Sequence, residues 1–404
     1  MTHPGTLILI TAVAVLAPLL AHGARRWVRI PLVIFEILLG ILIGPDVLGL
    51  AQHDKVIDTL SELGLSMLIF LAGYEIEFAA IRGDTLRRSV RSWVLSLALG
   101  LGVALALTGM DLSKSVVIGT ALTSTALGTV LPILRDSGDL GGRFGTVMMA
   151  FGAVGEFGPI IAMAVLLGGR DPGVSTAVLA AFAVITAAAI YWALRPHPPW
   201  FAQLIRTTLH TSGQFAVRFV MLLLVAMLGL SAAFGLDVLL GAFAAGLLTR
   251  LVFQGAAPDS AEDVLAKVEA MGFGFLVPLF FIVTGINFDL ASLLDGGRAL
   301  LLLPVFLLLF LVVRGLPVHA LAPRDLNSSD RRALTLYSST CLPLVVAITT
   351  IGLDDGTLVK GEAAALVGAA MVSVLVFPLL ALRVRAKEGE ATIPDGPGSE
   401  SEAW

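Results

Sequence analysis

Thirteen apolar runs follow one another along this chain, near 5–22, 28–48, 57–76, 89–109, 113–134, 144–168, 174–194, 213–233, 236–253, 268–288, 299–321, 331–352 and 360–383, and most charge falls between them or near their ends. A run of about 20 apolar residues is what a helix needs to cross the ~30 Å hydrocarbon core of a bilayer. Within that core a helix satisfies its own backbone groups, which an isolated strand does not. The pattern predicts an all-α polytopic membrane protein with about 13 transmembrane helices. Composition points the same way, since 57% hydrophobic and 14% charged residues with a mean hydropathy of +0.93 leave too little charge to cover a water-soluble body of 404 residues. Thr6 to Ala21 is read as a first membrane helix and not a cleaved signal, because no basic segment precedes it and Arg25, Arg26 and Arg29 follow.

The basic residues orient the chain. With the N-terminus outside, 19 of the 26 Lys and Arg fall on the cytoplasmic side and five outside, while Arg218 and Arg314 lie within runs. That asymmetry predicts a multi-pass protein of the cell membrane, N-terminus out and C-terminus cytoplasmic. Residues 386–404 then form a short acidic cytoplasmic tail. The net charge of −4 says little about partners, and no nucleic acid is expected. The single cysteine, Cys341, excludes an internal disulfide framework and a cysteine metal cluster, and no two of the six histidines stand at metal-ligand spacing.

Internal similarity appears at an offset of seven runs. Leu68 to Phe78 in the third run parallels Phe280 to Leu290 in the tenth, placing Gly73 on Gly285 and Glu77 on Asp289. Thr123-Ser124-Thr125, with Pro132 beyond, parallels Ser338-Ser339-Thr340 and Pro343 in the twelfth run, and Leu38-Leu39-Gly40 parallels Leu239-Leu240-Gly241. An odd offset inverts one half across the membrane, as in many secondary transporters. The expected domains are a transmembrane unit over 1–385, with one repeat at about 5–168, a linker helix at about 174–194, and a second repeat at about 213–385.

That architecture directs attention to mid-membrane. Glu156, flanked by Gly152, Gly155, Gly158 and Pro159, sits near the middle of the sixth run. Charge at that depth costs at least a few kcal/mol and marks a partner, a wet cavity or a titrating site. The matched fifth and twelfth runs are expected to break where freed carbonyls and helix ends coordinate a cation, with Thr123, Ser124, Thr125, Ser338, Ser339 and Thr340 either adding ligands or bonding back to the preceding turn. Arg314 is the other deeply buried charge, and an ion pair with Glu156 would spare both. Glu75 is a secondary candidate as ligand or cytoplasmic gate, and Glu36 is one for which a structural partner is expected first. Glu62 and Asp237 fall near outer helix ends, where water solvates them, and Arg218 is close enough to a helix start to snorkel.

The stretch Pro31-Leu32-Val33-Ile34-Phe35-Glu36-Ile37-Leu38-Leu39-Gly40-Ile41-Leu42-Ile43-Gly44-Pro45 resembles the second-helix motif of the monovalent cation:proton antiporter superfamily in its Kef-type branch. Leu63-Gly64-Leu65 through Glu75 resembles its third-helix motif, and Pro278 through Gly285 its motif in the second half. The resemblance covers about residues 5 to 385. It implies a sodium/proton antiporter-like fold with crossing unwound helices, a core bundle moving as an elevator against a dimerisation domain, and a homodimer. It assigns alternate cation and proton binding to Glu156, the basic residue of the eleventh helix to Arg314, and the unwound segments to the fifth and twelfth runs. The family's usual pair at the key position is Asn, Asp or Gln followed by Asp; here it is Gly155-Glu156.

These readings converge on a secondary antiporter exchanging Na+ or K+ for H+, one for one and without net charge, since Gly155 offers no second carboxylate and arginine keeps its proton. Apart from the transported ions no cofactor is expected, and no appended nucleotide-binding regulatory domain. The competing reading is a non-transporting membrane sensor or partner subunit that retains the fold. An intramembrane enzyme is disfavoured because no Ser/His pair, metal motif or Asp pair shares one depth.

Overall fold

A computed structural model describes residues 4–24, 30–51, 54–75, 83–140, 142–166, 172–193, 195, 199–209, 211–256, 258–295 and 297–391. Arg25, Arg26, Arg29, Glu77, Arg82, Arg170 and the tail beyond 391 lie outside the described residues. Among those described there is no strand, in keeping with a backbone that must satisfy itself in lipid.

The elements in chain order are α1 (Pro4–Ala24), α2 (Leu32–Ile43), α3 (Lys55–Glu75), α4 (Asp84–Leu107), α5 (Leu112–Ala121), α6 (Leu127–Asp136), α7 (Gly142–Leu166), α8 (Pro172–Ala193), α9 (Pro199–Thr208), α10 (Phe215–Ala233), α11 (Val238–Ala256), α12 (Pro258–Met271), α13 (Val277–Ile286), α14 (Leu290–Asp295), α15 (Arg298–Leu309), α16 (Leu316–Leu321), α17 (Ser328–Ser338), α18 (Pro343–Asp354) and α19 (Lys360–Ala391). Among the described residues ten helical spans are long and apolar enough to cross a membrane, and α2 is apolar but shorter. The seventh run forms the 22-residue α8, while the second forms the 12-residue α2 and the fifth divides into α5 and α6. The short helices α9 and α14 were not anticipated at all.

Two joins are π-helical: Gly272–Leu276 between α12 and α13, and Phe310–Gly315 between α15 and α16. Each is followed within two residues by a proline, Pro278 or Pro317, at the start of the next helix. A proline has no N–H to give to the fourth residue back and its ring presses on that carbonyl, so the turn before it opens by one residue. The opened turn carries Arg314.

The helices pack as two groups. One contains α1–α3 and α10–α13; the other contains α4–α7 and α15–α19. They meet along an apolar seam to which Ile37, Leu68 and Phe281 contribute from the first group and Leu122, Phe310 and Leu366 from the second. In a bilayer such packing relies on close approach more than on expulsion of water. At Gly40 a Cβ would lie 2.2 Å from the carbonyl oxygen of Ile282, and at Gly285 it would lie 2.2 Å from that of Ile37, so α2 and α13 touch through backbone. Large apolar side chains that stay uncovered, such as Ile8, Leu222 and Leu301, suit a lipid-facing surface.

Candidate functional site

Two interrupted helices cross inside the second group. Helix continuity lapses over 122–126, between α5 and α6, and over 339–342, between α17 and α18. The free backbone groups satisfy each other: Ala126 N donates to Thr340 O at 2.7 Å, and Thr125 N donates to Gly155 O on α7 at 2.9 Å. Thr125 Oγ1 donates to Ser338 O at 2.6 Å. From the far side Ser373 on α19 clasps Cys341, accepting from its backbone N at 3.1 Å and donating to its carbonyl at 3.0 Å. Thr123, Ser124, Thr125, Ser338, Ser339, Thr340 and Cys341 are all buried, so each lost bond matters in a medium without water.

Most of the hydroxyls bond backward. Thr123 Oγ1 donates to Thr120 O and Ser124 Oγ to Ala121 O, both at 2.8 Å, while Ser339 Oγ and Thr340 Oγ1 donate to Thr335 O at 2.8 Å and Leu336 O at 3.2 Å. Of the two uses expected for these side chains, four serve the preceding turn. Thr125 differs, reaching across the break, and the buried Ser338 Oγ has no hydrogen-bond partner.

Glu156 lies 14 residues into α7, on the order of 20 Å from its start. It is 1% exposed, its carboxylate faces the backbone amide of Leu127, the first residue of α6, and its Oε2 has no hydrogen-bond partner. A helix N-terminus carries unpaired N–H groups and the positive end of the macrodipole, which favours an anion there. Sequence reasoning found the carboxylate but not this amide, because register across a break cannot be read from one strand of text.

The expected Arg314–Glu156 ion pair does not form. Arg314 is fully buried, and its Nε donates to Thr125 Oγ1 at 3.0 Å while its Nη2 donates to Phe151 O at 2.7 Å. Consecutive helical residues point about 100° apart. It is Gly155 that faces the guanidinium, and Glu156 is turned toward α6. The arginine thereby braces the crossing at both α5–α6 and α7, and its Nη1 has no hydrogen-bond partner.

Glu75 at the end of α3 pairs with Arg135 near the end of α6 at 3.1 Å, and Arg135 also approaches Glu269 on α12 at 3.8 Å. These ion pairs join the two helix groups. Glu75 lies within electrostatic range of Glu156. Sequence reading singled out Glu75 but neither Arg135 nor Glu269, whose only signal was charge at the ends of apolar runs. Between the groups opens a cavity of about 670 Å³ lined in part by Glu36, Arg135 and Glu269. Glu36 is buried, and no described residue supplies the structural partner expected for it; its side chain lines the cavity instead. No group of three or more metal-ligating side chains occurs among the described residues.

This geometry offers one buried, half-satisfied carboxylate able to accept either a proton or a cation, beside a helix N-terminus and a fixed positive charge. Comparison with known proteins places it in context. A family model described as the sodium/hydrogen exchanger transmembrane region matches residues 11–382. The putative Na+/H+ antiporter YjbQ of Bacillus subtilis is 27% identical over 96% of this chain, which spans 64% of that protein's length. The Na+/H+-K+ antiporter GerN of Bacillus cereus is 25% identical over 86% of this chain and 88% of its own. The structure of the sodium proton antiporter MjNhaP1 of Methanocaldococcus jannaschii superposes with a TM-score of 0.65 over 96% of this chain and 97% of that one, at 16% identity, which establishes likeness of fold alone.

Proposed function

The chain belongs to the sodium/hydrogen exchanger family of membrane transporters, and we propose that it exchanges a monovalent cation, Na+ or K+, for H+, with Glu156 holding the two in turn. One observation carries the reading: a single carboxylate, buried at mid-membrane depth beside crossing helix breaks, faces one helix-terminal amide and has an oxygen without a partner. A bound proton or a bound cation would each neutralise it, and alternation between them is exchange.

The finer features follow from the same arrangement. Gly155 has no titratable side chain and Arg314 keeps its charge, so one proton moves per cation and the cycle is electroneutral. Two helix groups joined by an apolar seam and a few ion pairs suit alternating access by sliding of one group against the other. The inverted-repeat division into 5–168 and 213–385 is supported by reciprocal packing. Gly73 on α3 abuts the carbonyl of Phe243 on α11, while Gly285 on α13 abuts that of Ile37 on α2. Each half's third membrane helix thus meets the other half's second. The charge asymmetry supports a cell-membrane protein with its N-terminus outside, and the family resemblance supports a homodimer.

The test is proton flux in proteoliposomes driven by sodium, potassium or lithium gradients, with wild type and Glu156→Gln compared. Cation-driven flux in wild type that disappears in Glu156→Gln, while the variant remains monodisperse, is the expected result. Wild-type protein that moves no protons with any of the three ions would instead favour the sensor or partner-subunit reading.

A further inference from the structure

We propose that Glu36 is the carboxylate of a second cation-holding site, in the cavity between the two helix groups, where a hydrated monovalent cation is held before it reaches Glu156. The proposal rests on the reading of Glu156 given above. Glu36 lies in the second turn of α2, is 3% exposed, and takes part in no hydrogen bond or ion pair with the described residues. A carboxylate so deeply enclosed and unpaired is unfavourable unless water or a cation solvates it. Its cavity, about 670 Å³, has room for roughly twenty waters at ~30 Å³ each.

The charges around it define what would be held. Glu36, Glu269, Arg135 and His22 line the cavity. Arg135 is already engaged with Glu75 and Glu269. Glu36 is thus the lining carboxylate with no basic partner among the described residues, and its single negative charge is matched by a monovalent cation. The ion keeps most of its water in a space this wide, where Leu68, Val277 and Phe281 supply apolar wall. The position also leads onward. Arg135, Gly128, Leu68 and Phe273 line this cavity and a narrower one that reaches Glu75, which is within electrostatic range of Glu156. A confined negative charge at the wide end raises the local cation concentration along that route.

The experiment measures binding of radiolabelled thallium(I) to the purified full-length chain by scintillation proximity, in a Glu156→Gln background that removes the proposed transport site. Expected is one thallium(I) per chain, with affinity weakened about tenfold, equivalent to ~1.4 kcal/mol, when Glu36→Gln is added and largely kept with Glu36→Asp. Absence of residual binding, or residual binding indifferent to Glu36→Gln, overturns the proposal. A second measurement leaves the Glu36 side chain native: in the same Glu156→Gln background, carbodiimide modification of Glu36, read by mass spectrometry, should slow several-fold with thallium(I) present. Equal rates overturn it too. Failure of the Glu156 reading shows separately, as cation-driven proton flux that survives Glu156→Gln in vesicles.

Discussion

A Cβ placed on Gly155 would lie 2.3 Å from Nη2 of Arg314 and 2.3 Å from Oγ1 of Thr125. The glycine that precedes Glu156 is therefore the floor on which the buried arginine rests. A long side chain such as arginine can shift, but Thr125 is pinned to Ser338 and has nowhere to go. Gly155→Ala should destabilise the protein by about 1–3 kcal/mol, the usual cost of overpacking a close-packed interior. Removing the guanidinium as well, in Gly155→Ala with Arg314→Ala, relieves only part of the clash, since Thr125 remains. Thermal unfolding in detergent checks this, and a Gly155→Ala protein as stable as wild type would refute the contact.

Arg314 and Glu156 should behave as a weakly coupled pair and not as a salt bridge. Arg314→Ala removes two charge-assisted hydrogen bonds, each worth about 1.5–3 kcal/mol before relaxation, and should loosen the crossing. Because the two form no ion pair but share one crossing through Thr125 and Gly155, the stability losses of Arg314→Ala and Glu156→Gln should couple only weakly, by less than about 1 kcal/mol. A coupling of more than about 1 kcal/mol in the double variant would show that the two charges meet after all.

Stoichiometry can be read at a balance point. Electroneutral exchange of one proton for one monovalent cation carries no net charge, so a membrane potential, worth about 2.3 kcal/mol per elementary charge per 100 mV, should not drive it. With ion gradients fixed in proteoliposomes, the gradient ratio at which proton flux vanishes should not move when voltage is imposed. A balance point that shifts with voltage would require a second titrating group, and Glu75 is the one to examine.

Outside the membrane, a pH effect on stability is expected at Asp325. Arg143 at the start of α7 donates to its Oδ2 at 2.6 Å and also to Thr85 on α4 at 3.3 Å. That hydrogen bond holds the Asp325 carboxyl below the ordinary aspartate value of 3.8. A carboxyl depressed in the folded state stabilises the fold at pH above its unfolded value, and the contribution is lost as pH falls below that value. Both side chains are about half exposed, so the effect is small and screened by salt. Asp325→Asn should lower the unfolding midpoint slightly at neutral pH and low salt, with the difference from wild type shrinking in acid. A difference that grows in acid would reverse the sign and exclude this pairing.

Much of this site was legible in the sequence because lipid leaves few options. A lone Glu156 in a spanning run marked a buried carboxylate, and two hydroxyl clusters with prolines at matched positions announced the breaks at 122–126 and 339–342. Direction was the part that text could not supply. Whether Gly155 or Glu156 faces Arg314 is a rotation of about 100°, and the π turn at Phe310–Gly315 changes that rotation after the run has been counted. Pro317 was the available clue, three residues past the arginine. The Glu75–Arg135–Glu269 cluster was hidden for a different reason: its members come from three helix ends, 60 and 134 residues from one another, and nothing in any one end names the others.

Cys341, fully buried at the second break with Ser373 wrapped around its backbone, is the chain's only thiol. A sulfhydryl enclosed to that degree is out of reach of maleimide and methanethiosulfonate reagents. The native protein is accordingly a silent background for spectroscopic labels. One exposed cysteine introduced on each helix group yields a doubly tagged transporter with no endogenous cysteine to remove, and a spin-label distance recorded with and without cation tests whether one group travels past the other, and how far.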